Sequence, residues 1–124
     1  MSATDIDALR AALAKVEAAT REDRELFLAV CDALGIKTHG WHHFLRYLGA
    51  QAWHDAALAL VERVLPQPFY FWRILGQTDN GGWHVHLVRG YPSNYEFGWR
   101  HTGSTLALAI LGALLRALIA KETI

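Results

Sequence analysis

Apolar residues recur at helical spacing through the first part of the chain. They form one stripe in residues 4–19 and another in residues 24–34, each repeating every three or four residues, as one helix face does. The stripes consist of Ile6, Leu9, Leu13 and Val16, then of Leu26, Phe27, Val30 and Leu34. Gly35 follows at the position where a left-handed residue often ends a helix. We therefore predict a helical hairpin over residues 1–35.

Residues 36–51 interrupt this regular pattern. They are rich in histidine and aromatic side chains and contain glycines, and a short helix is predicted over residues 41–48. A clear apolar stripe returns in residues 53–65, with charged residues on the other side of the predicted helix. Pro66 and Pro68 then end that helix, because proline cannot continue the backbone hydrogen bonding.

The pattern then changes from helical spacing to alternation. Residues 69–75 are rich in β-forming side chains, and residues 83–89 and 95–100 alternate with a period of two. Glycine-rich and proline-containing turns at 76–82 and 90–94 separate these runs. Three strands joined by short turns predict an antiparallel meander in an α+β domain.

The last predicted helix starts near Thr102 or Ser104, either of which could cap it. Its large apolar residues within Leu106–Ala120 cover an arc of about 220°, wider than the stripe of about 100° of a surface helix. The helix must therefore contact a second element besides the sheet. That element is either another helix of this chain or the partner in a homodimer, and Arg116 marks the solvent side.

Length and charge restrict the function. The 124 residues suit one domain, in which 36–51 is an insert between the hairpin of 1–35 and a helix-strand-strand-strand-helix unit over 52–120. Twelve basic and twelve acidic residues balance, which argues against binding duplex DNA through its phosphates and against mimicry of nucleic acid. The single cysteine, the lack of a signal-peptide pattern and apolar runs shorter than a membrane span predict a cytoplasmic protein without membrane association.

Seven histidines raise the alternative hypothesis of a histidine-site metal-binding protein or metalloenzyme. His84 and His86 are two residues apart on a predicted strand and therefore share one face, a geometry that metal sites use. A third ligand could come from residues 39–43. The alternative is that these imidazoles lie at the surface or face a helix, since no carboxylate adjoins the pair in sequence to orient a ligand. We favour this alternative and predict no metal.

No catalytic motif is recognisable in the sequence. Cys31 lies beside the apolar stripe of the second helix, where unreactive buried cysteines occur. The serines lack the context of a nucleophile elbow. The turn Asp79–Gly82 has no lysine after it, unlike a phosphate-binding loop. We favour a protein without enzymatic activity and predict no cofactor.

The aromatic strands allow an alternative function in binding single-stranded nucleic acid. Bases could stack on Tyr70, Trp72, Trp83, Tyr95 and Trp99, which are interleaved with Arg73, Arg89 and Arg100. The other interpretation is that these aromatic residues form the core side of the sheet, because they alternate regularly with polar residues. We favour the core.

Protein binding is the function class that the residue types favour. Tryptophan, tyrosine and arginine dominate the energetics of protein interfaces, and here some of them fall in loops, where large aromatic residues are costly to expose. The candidate partner-binding residues are His39, Trp41, His42, His84, His86, Arg89, Tyr91 and Arg100.

The order of segments resembles the phage ABA sandwich domain family, small proteins of phages and prophage-like regions. The similarity lies in the helix 55–66, the aromatic strand after it, the Gly82–Trp83 start of the next strand and the closing helix 104–116. The opening segment 13–20, followed by Arg24–Leu26, is also similar to the start of many such proteins.

The resemblance covers most of residues 9–120 and carries implications for fold and function. It implies a sheet between helical layers, an α/β/α sandwich-like arrangement, with Leu106–Ala120 on one sheet face and in contact with the 53–65 helix or the hairpin. It brings no catalytic residues, and this sequence departs from it in the insert 36–51. It also implies a small accessory protein that binds a host protein in the host cytoplasm. The sharpest form of this expectation is an anti-CRISPR-like inhibitor of a host defence system.

Overall fold

The computed structural model describes residues 3–64, 70–77, 82–89, 98–103 and 105–123. Five helices and three strands lie within them. The helices are α1 (Ala3–Ala18), α2 (Arg24–Ala33), α3 (His42–Gly49), α4 (Trp53–Val64) and α5 (Leu106–Thr123), and the strands are β1 (Tyr70–Gln77), β2 (Trp83–Arg89) and β3 (Gly98–Gly103).

Helices α1 and α2 pack against each other, joined by a short polar connection. Asp23 caps α2, since its carboxylate accepts a hydrogen bond of 2.7 Å from the backbone N–H of Leu26. The apolar stripes of both helices face inward, and Leu9, Phe27 and Val30 are completely buried. The predicted spacing of apolar residues therefore matches the buried faces of these helices.

The three strands pair antiparallel in chain order, β1-β2-β3. The register between β1 and β2 shifts between Ile74 and Gly76, so Leu75 has no partner across the sheet. Strand β3 starts at Gly98 and ends at Gly103, whereas alternation predicted a strand over 95–100. Residues 95–97 lie outside the described residues.

Thr105, and not the predicted Thr102, caps α5. Its hydroxyl oxygen accepts a hydrogen bond of 3.2 Å from the backbone N–H of Leu108. Thr102 lies within β3, and Ser104 is outside the described residues. The prediction of the cap was wrong because the third strand extends further along the chain than its alternation indicated.

Helix α5 lies at the centre of the core. It packs against β2 and β3 and also against α1 and α4, which confirms that its wide apolar arc needs more than one neighbour. Arg116 is exposed, as predicted, and pairs with Glu17 of α1 at 3.0 Å. Other elements of the chain cover most of the apolar surface of α5, which leaves little described apolar area for a contact between two copies. The homodimer through this helix stays a prediction. None of the described helices is both long enough and apolar enough to cross a membrane.

The predicted fold class, an α+β domain with an α/β/α sandwich-like arrangement, is wrong. Most of the described residues are helical, and α5, not the sheet, is the middle layer, since α1 and α4 pack on α5. The physical reason is the alternation along β2. Val85 is completely buried in the core shared with α5, so His84 and His86 fall on the opposite face. A face with histidines in its central strand is poorly suited to bury the apolar stripe of a second helical layer.

Candidate functional site at the 36–51 insert

The predicted partner-binding residues fall in two regions of the structure. One group lies at the start of the insert and the other lies on the sheet, while Tyr91 is outside the described residues. The insert group consists of His39, Trp41 and His42. The sheet group consists of His84, His86 and Arg89 on β2 and of Arg100 on β3. Helix α3 packs on α4, whereas β2 and β3 pack on α5. The insert and the sheet are therefore separate candidate surfaces.

Two glycines with positive φ angles define the entry to the insert. Gly35 has φ 71° and ends α2. Its backbone N–H donates a hydrogen bond to the carbonyl of Asp32 at 3.1 Å, and the N–H of Ile36 donates to the carbonyl of Cys31 at 2.9 Å. This pair of hydrogen bonds is the Schellman motif, and the positive φ of Gly35 confirms the left-handed helix end that the sequence predicted there. Gly40 has φ 84° and precedes the first turn of α3, so the chain reverses sharply and directs Trp41 toward the core.

A cluster of four aromatic rings anchors the insert. Phe27 of α2 and Phe44 of α3 are completely buried with ring centroids 6.4 Å apart. Trp53 stacks on Phe27 at 5.4 Å, and Trp41 stacks on Phe44 at 4.4 Å with the rings only 10° from parallel. Such pairs contribute about 0.5–1.5 kcal/mol each beyond the area that they bury. The insert is therefore fixed to α2 and α4 through the shared core.

Arg63 of α4 lies over the ring of Trp41, with its guanidinium carbon 4.5 Å from the ring centroid. Phe44 stacks on the same indole nearly in parallel, with the ring centroids 4.4 Å apart. Trp41 is half-buried in this arrangement. Its indole therefore offers a partner an edge, while Arg63, which is exposed, offers a charge held in place by the ring.

A groove of about 380 Å³ runs between α3 and α4 beside this stack. Its lining consists of Trp41, His43, Tyr47, Ala59, Glu62 and Arg63. Sequence reasoning selected Trp41 but missed Tyr47 and Arg63. A signal was present, because His43 and Tyr47 are four apart on α3, and Ala59 and Arg63 are four apart on α4, so each pair shares a helix face.

A second cleft, of about 690 Å³, lies on another side of the insert. It is lined by Arg21, Glu22, Asp23, Arg24, Leu48, Gly49, Gln51 and Trp53. Its charged residues come from the α1–α2 connection and the first residue of α2, and Trp53 is its one aromatic residue. The groove, with its concentration of aromatic and arginine residues, is the stronger candidate site.

Gln51 in the lining of this cleft has a strained backbone. Its φ of 58° is a left-handed conformation, and it ends α3 in a second Schellman motif. The backbone N–H of Gln51 donates to the carbonyl of Leu48 at 3.2 Å, and the N–H of Ala52 donates to the carbonyl of Tyr47 at 2.8 Å. Glutamine adopts this conformation only at a cost, whereas glycine adopts it freely.

Replacing Gln51 with glycine should raise the free energy of unfolding by about 0.5–1 kcal/mol, because the left-handed position no longer strains a side chain. Urea denaturation followed by circular dichroism measures the change. The matched control is Ala50→Gly, one residue earlier at φ −88°, which should instead lower the stability by about 0.5–1 kcal/mol. A Gln51→Gly variant no more stable than the wild type would contradict the argument from backbone strain.

The only cysteine is completely buried between the helices. Burial, with a smaller contribution from the negative charge of Asp32, raises the pKa of the Cys31 thiol from 9.0 to about 12, and the positive charge of Arg63 opposes this shift. The thiolate is the nucleophilic form of cysteine. Cys31 is therefore a core residue and not a nucleophile at neutral pH, as the sequence indicated.

The sheet places the predicted His-x-His pair beside arginines. His86 pairs in register with Arg73 of β1 and Arg100 of β3. Residues at paired positions share a sheet face, and positive residue types next to the pair disfavour a cation there. Among the residues whose side chains the structure describes, no three histidine, cysteine or acidic residues come together as a metal site.

Comparisons with protein-family models, with curated proteins and with solved structures found no match for this chain. The resemblance to the phage ABA sandwich domain family therefore stays a prediction. The position of α5 as the middle layer departs from the layer order that this resemblance implies.

Proposed function

We propose that this protein binds another protein stoichiometrically, through the groove between α3 and α4, and that it has no enzymatic activity. One observation carries the proposal. Trp41, Tyr47 and Arg63 line a single groove, and the arginine is held on the tryptophan ring at 4.5 Å. These three residue types are the ones most enriched among interface residues that cost binding energy when truncated.

The packing around the groove supports a binding role. Phe44 and Phe27 lie behind Trp41 and are completely buried, so the aromatic wall of the groove is rigid before a partner arrives. A rigid surface loses little conformational entropy on binding, which leaves more of the contact energy as affinity. His39 and His42 are exposed, just before α3 and at its first residue, but neither of them lines the groove.

The class of partner follows from the resemblance to phage proteins and not from the groove. A phage accessory protein of this kind acts in the host cytoplasm on a host protein. Inhibition of a host defence system, in the manner of an anti-CRISPR protein, is the sharpest form of the proposal. The groove adds that the partner presents an apolar or aromatic residue to Trp41, beside polar groups that can pair with Arg63 and Glu62.

Tyr47→Ala combined with Arg63→Ala should abolish capture of the partner without unfolding the protein, because both residues contribute to the groove and neither is fully buried. The measurement is a quantitative pull-down from host lysate. It is followed by calorimetry with the purified partner, where a one-to-one ratio and a loss of affinity of at least about tenfold are expected.

The control for this pair is Lys15→Ala on α1, an exposed residue outside the groove, which should leave affinity unchanged. Circular dichroism establishes that all variants remain folded. The proposal fails if the wild-type protein captures no partner in a stoichiometric ratio. It also fails if the double variant binds the partner as tightly as the control does.

A further inference from the structure

We propose a second interaction surface, on the face of the sheet opposite α5, that docks an acidic segment of a protein partner. The surface is centred on the cross-strand row Arg73, His86 and Arg100. It is separate from the groove between α3 and α4 and does not depend on the function proposed for that groove.

The strand register defines this row. His86 is the partner of Arg73 on β1 and of Arg100 on β3, so the three residues occupy one line across the sheet. Successive residues of a strand alternate between faces. Since Val85 faces the core, His84 and His86 belong to the other face, together with their partners.

The composition of the strands makes the outer face of the sheet basic. The segments YFWRILGQ, WHVHLVR and GWRHTG contain no aspartate or glutamate, and the register puts Arg73, Arg100, His84 and His86 on the outer face, whereas Arg89 and His101 share the face of Val85. The chain as a whole is neutral, so the charge of Arg73 and Arg100 is balanced elsewhere in the chain. No acidic residue within the strands neutralises the row, and an acidic partner would complement it.

The described helices lie on the other side of the sheet. Among the described elements, α5 is the helix that packs on β2 and β3, and it does so on the side of Val85. Helices α1 and α4 pack on α5. The row Arg73–His86–Arg100 therefore lies on the side of the sheet away from the described helical core.

The same register favours a protein partner over nucleic acid. Trp72 and Trp99 both pair with Leu87, which shares the face of Val85, so these tryptophans belong to the core side and are not placed to stack bases. The outer face instead includes the apolar pair Phe71 and Val88 beside the basic row. A mixture of apolar and basic positions fits an acidic polypeptide with interspersed apolar residues.

The spacing also fits an extended polypeptide. Neighbouring strands lie about 4.8 Å apart, so the row spans about 10 Å. Acidic residues at alternate positions of an extended chain lie about 7 Å apart on one side. Two or three carboxylates of such a segment could therefore meet the row together.

Fluorescence anisotropy with a labelled peptide of glutamate and interspersed leucine tests the proposal at low ionic strength. The Arg73→Gln and Arg100→Gln double variant should bind this peptide at least about tenfold more weakly than the wild type. The matched control, Lys15→Gln with Arg46→Gln, removes two exposed positive charges from α1 and α3 and should change the affinity less than about twofold. A peptide with lysine in place of glutamate should not bind.

Three outcomes would overturn the proposal. They are the absence of peptide binding by the wild type, equal weakening by the control pair, and tighter binding of oligothymidylate of the same charge through the same arginines.

A second measurement does not depend on the folding of the double variant. The imidazole NMR signals of His86, assigned with His86→Gln, should shift when the peptide is added to the wild type, and unchanged signals would contradict docking on this face.

Discussion

Replacing Phe27 with alanine is expected to lower the free energy of unfolding by about 3–5 kcal/mol, the range for large aromatic residues in a core. Phe27 is completely buried and contacts two rings, Phe44 at 6.4 Å and Trp53 at 5.4 Å. Its removal leaves a cavity where α2, α3 and α4 meet, so the insert loses its support as well as its contact area. Urea denaturation followed by circular dichroism measures the loss.

Phe27→Leu is the matched control, because it keeps most of the apolar volume and removes the ring. We expect it to cost less than half of what Phe27→Ala costs, since the cavity is smaller. Binding by the groove should weaken in Phe27→Ala even where the protein remains folded, because Trp41 rests on Phe44 and Phe44 on Phe27. A loss of stability below about 1.5 kcal/mol would show that the cluster is not the anchor of the insert.

The positions of the helices could be predicted from local pattern alone. The stripe that predicted a helix over 53–65 corresponds to α4 at Trp53–Val64, and the short helix predicted at 41–48 is α3 at His42–Gly49. Gly35 ends α2 in the way that its position indicated. Apolar spacing and capping residues are local properties of the chain, which is why these predictions hold.

The order of the layers could not be taken from the resemblance. The wide apolar arc of α5 correctly predicted two neighbours, but local spacing does not say which elements they are. A better signal lay in β2, where His84 and His86 alternate with the buried Val85. A sheet covered by helices on both faces would need apolar residues at both sets of positions. The histidines therefore indicated that only one face of the central strand belongs to the core.

The candidate groove could be predicted in part. The insert 36–51 and Trp41 were selected from the sequence, and both belong to the groove region. Arg63 was not selected, because its contact with Trp41 joins residues far apart in the sequence and depends on how α3 packs on α4. Charge on the polar side of a helix does not distinguish a solvated arginine from one held on an aromatic ring.

The two candidate surfaces differ in the partner that each could recognise. The groove combines the edge of Trp41 with Tyr47 and Arg63, and its packing makes it rigid. The outer sheet face has a row of basic positions and an apolar pair. Since they involve different elements, variants in one should leave the other intact. A partner that needs both would lose affinity in each set of variants, with the losses adding.

The second large effect concerns pH and Cys31. The unfolded thiol has a pKa of 9.0, whereas burial raises the pKa in the folded protein to about 12. Below pH 9 both states hold the proton, so the full stability is present. Above pH 9 the unfolded chain releases its proton and the folded protein does not, so stability falls as pH rises toward 12. The slope approaches about 1.4 kcal/mol per pH unit.

Between pH 8.5 and 10.5 the wild type should therefore lose about 2 kcal/mol more stability than Cys31→Ala, which has no thiol to titrate. Comparison of the two pH slopes removes the effect of lysine and tyrosine groups, which both proteins share, and of any stability that the substitution itself costs. Urea denaturation at closely spaced pH values gives both slopes. Equal slopes would mean that Cys31 ionises in the folded protein near pH 9, and α2 would then have to open to solvent without global unfolding.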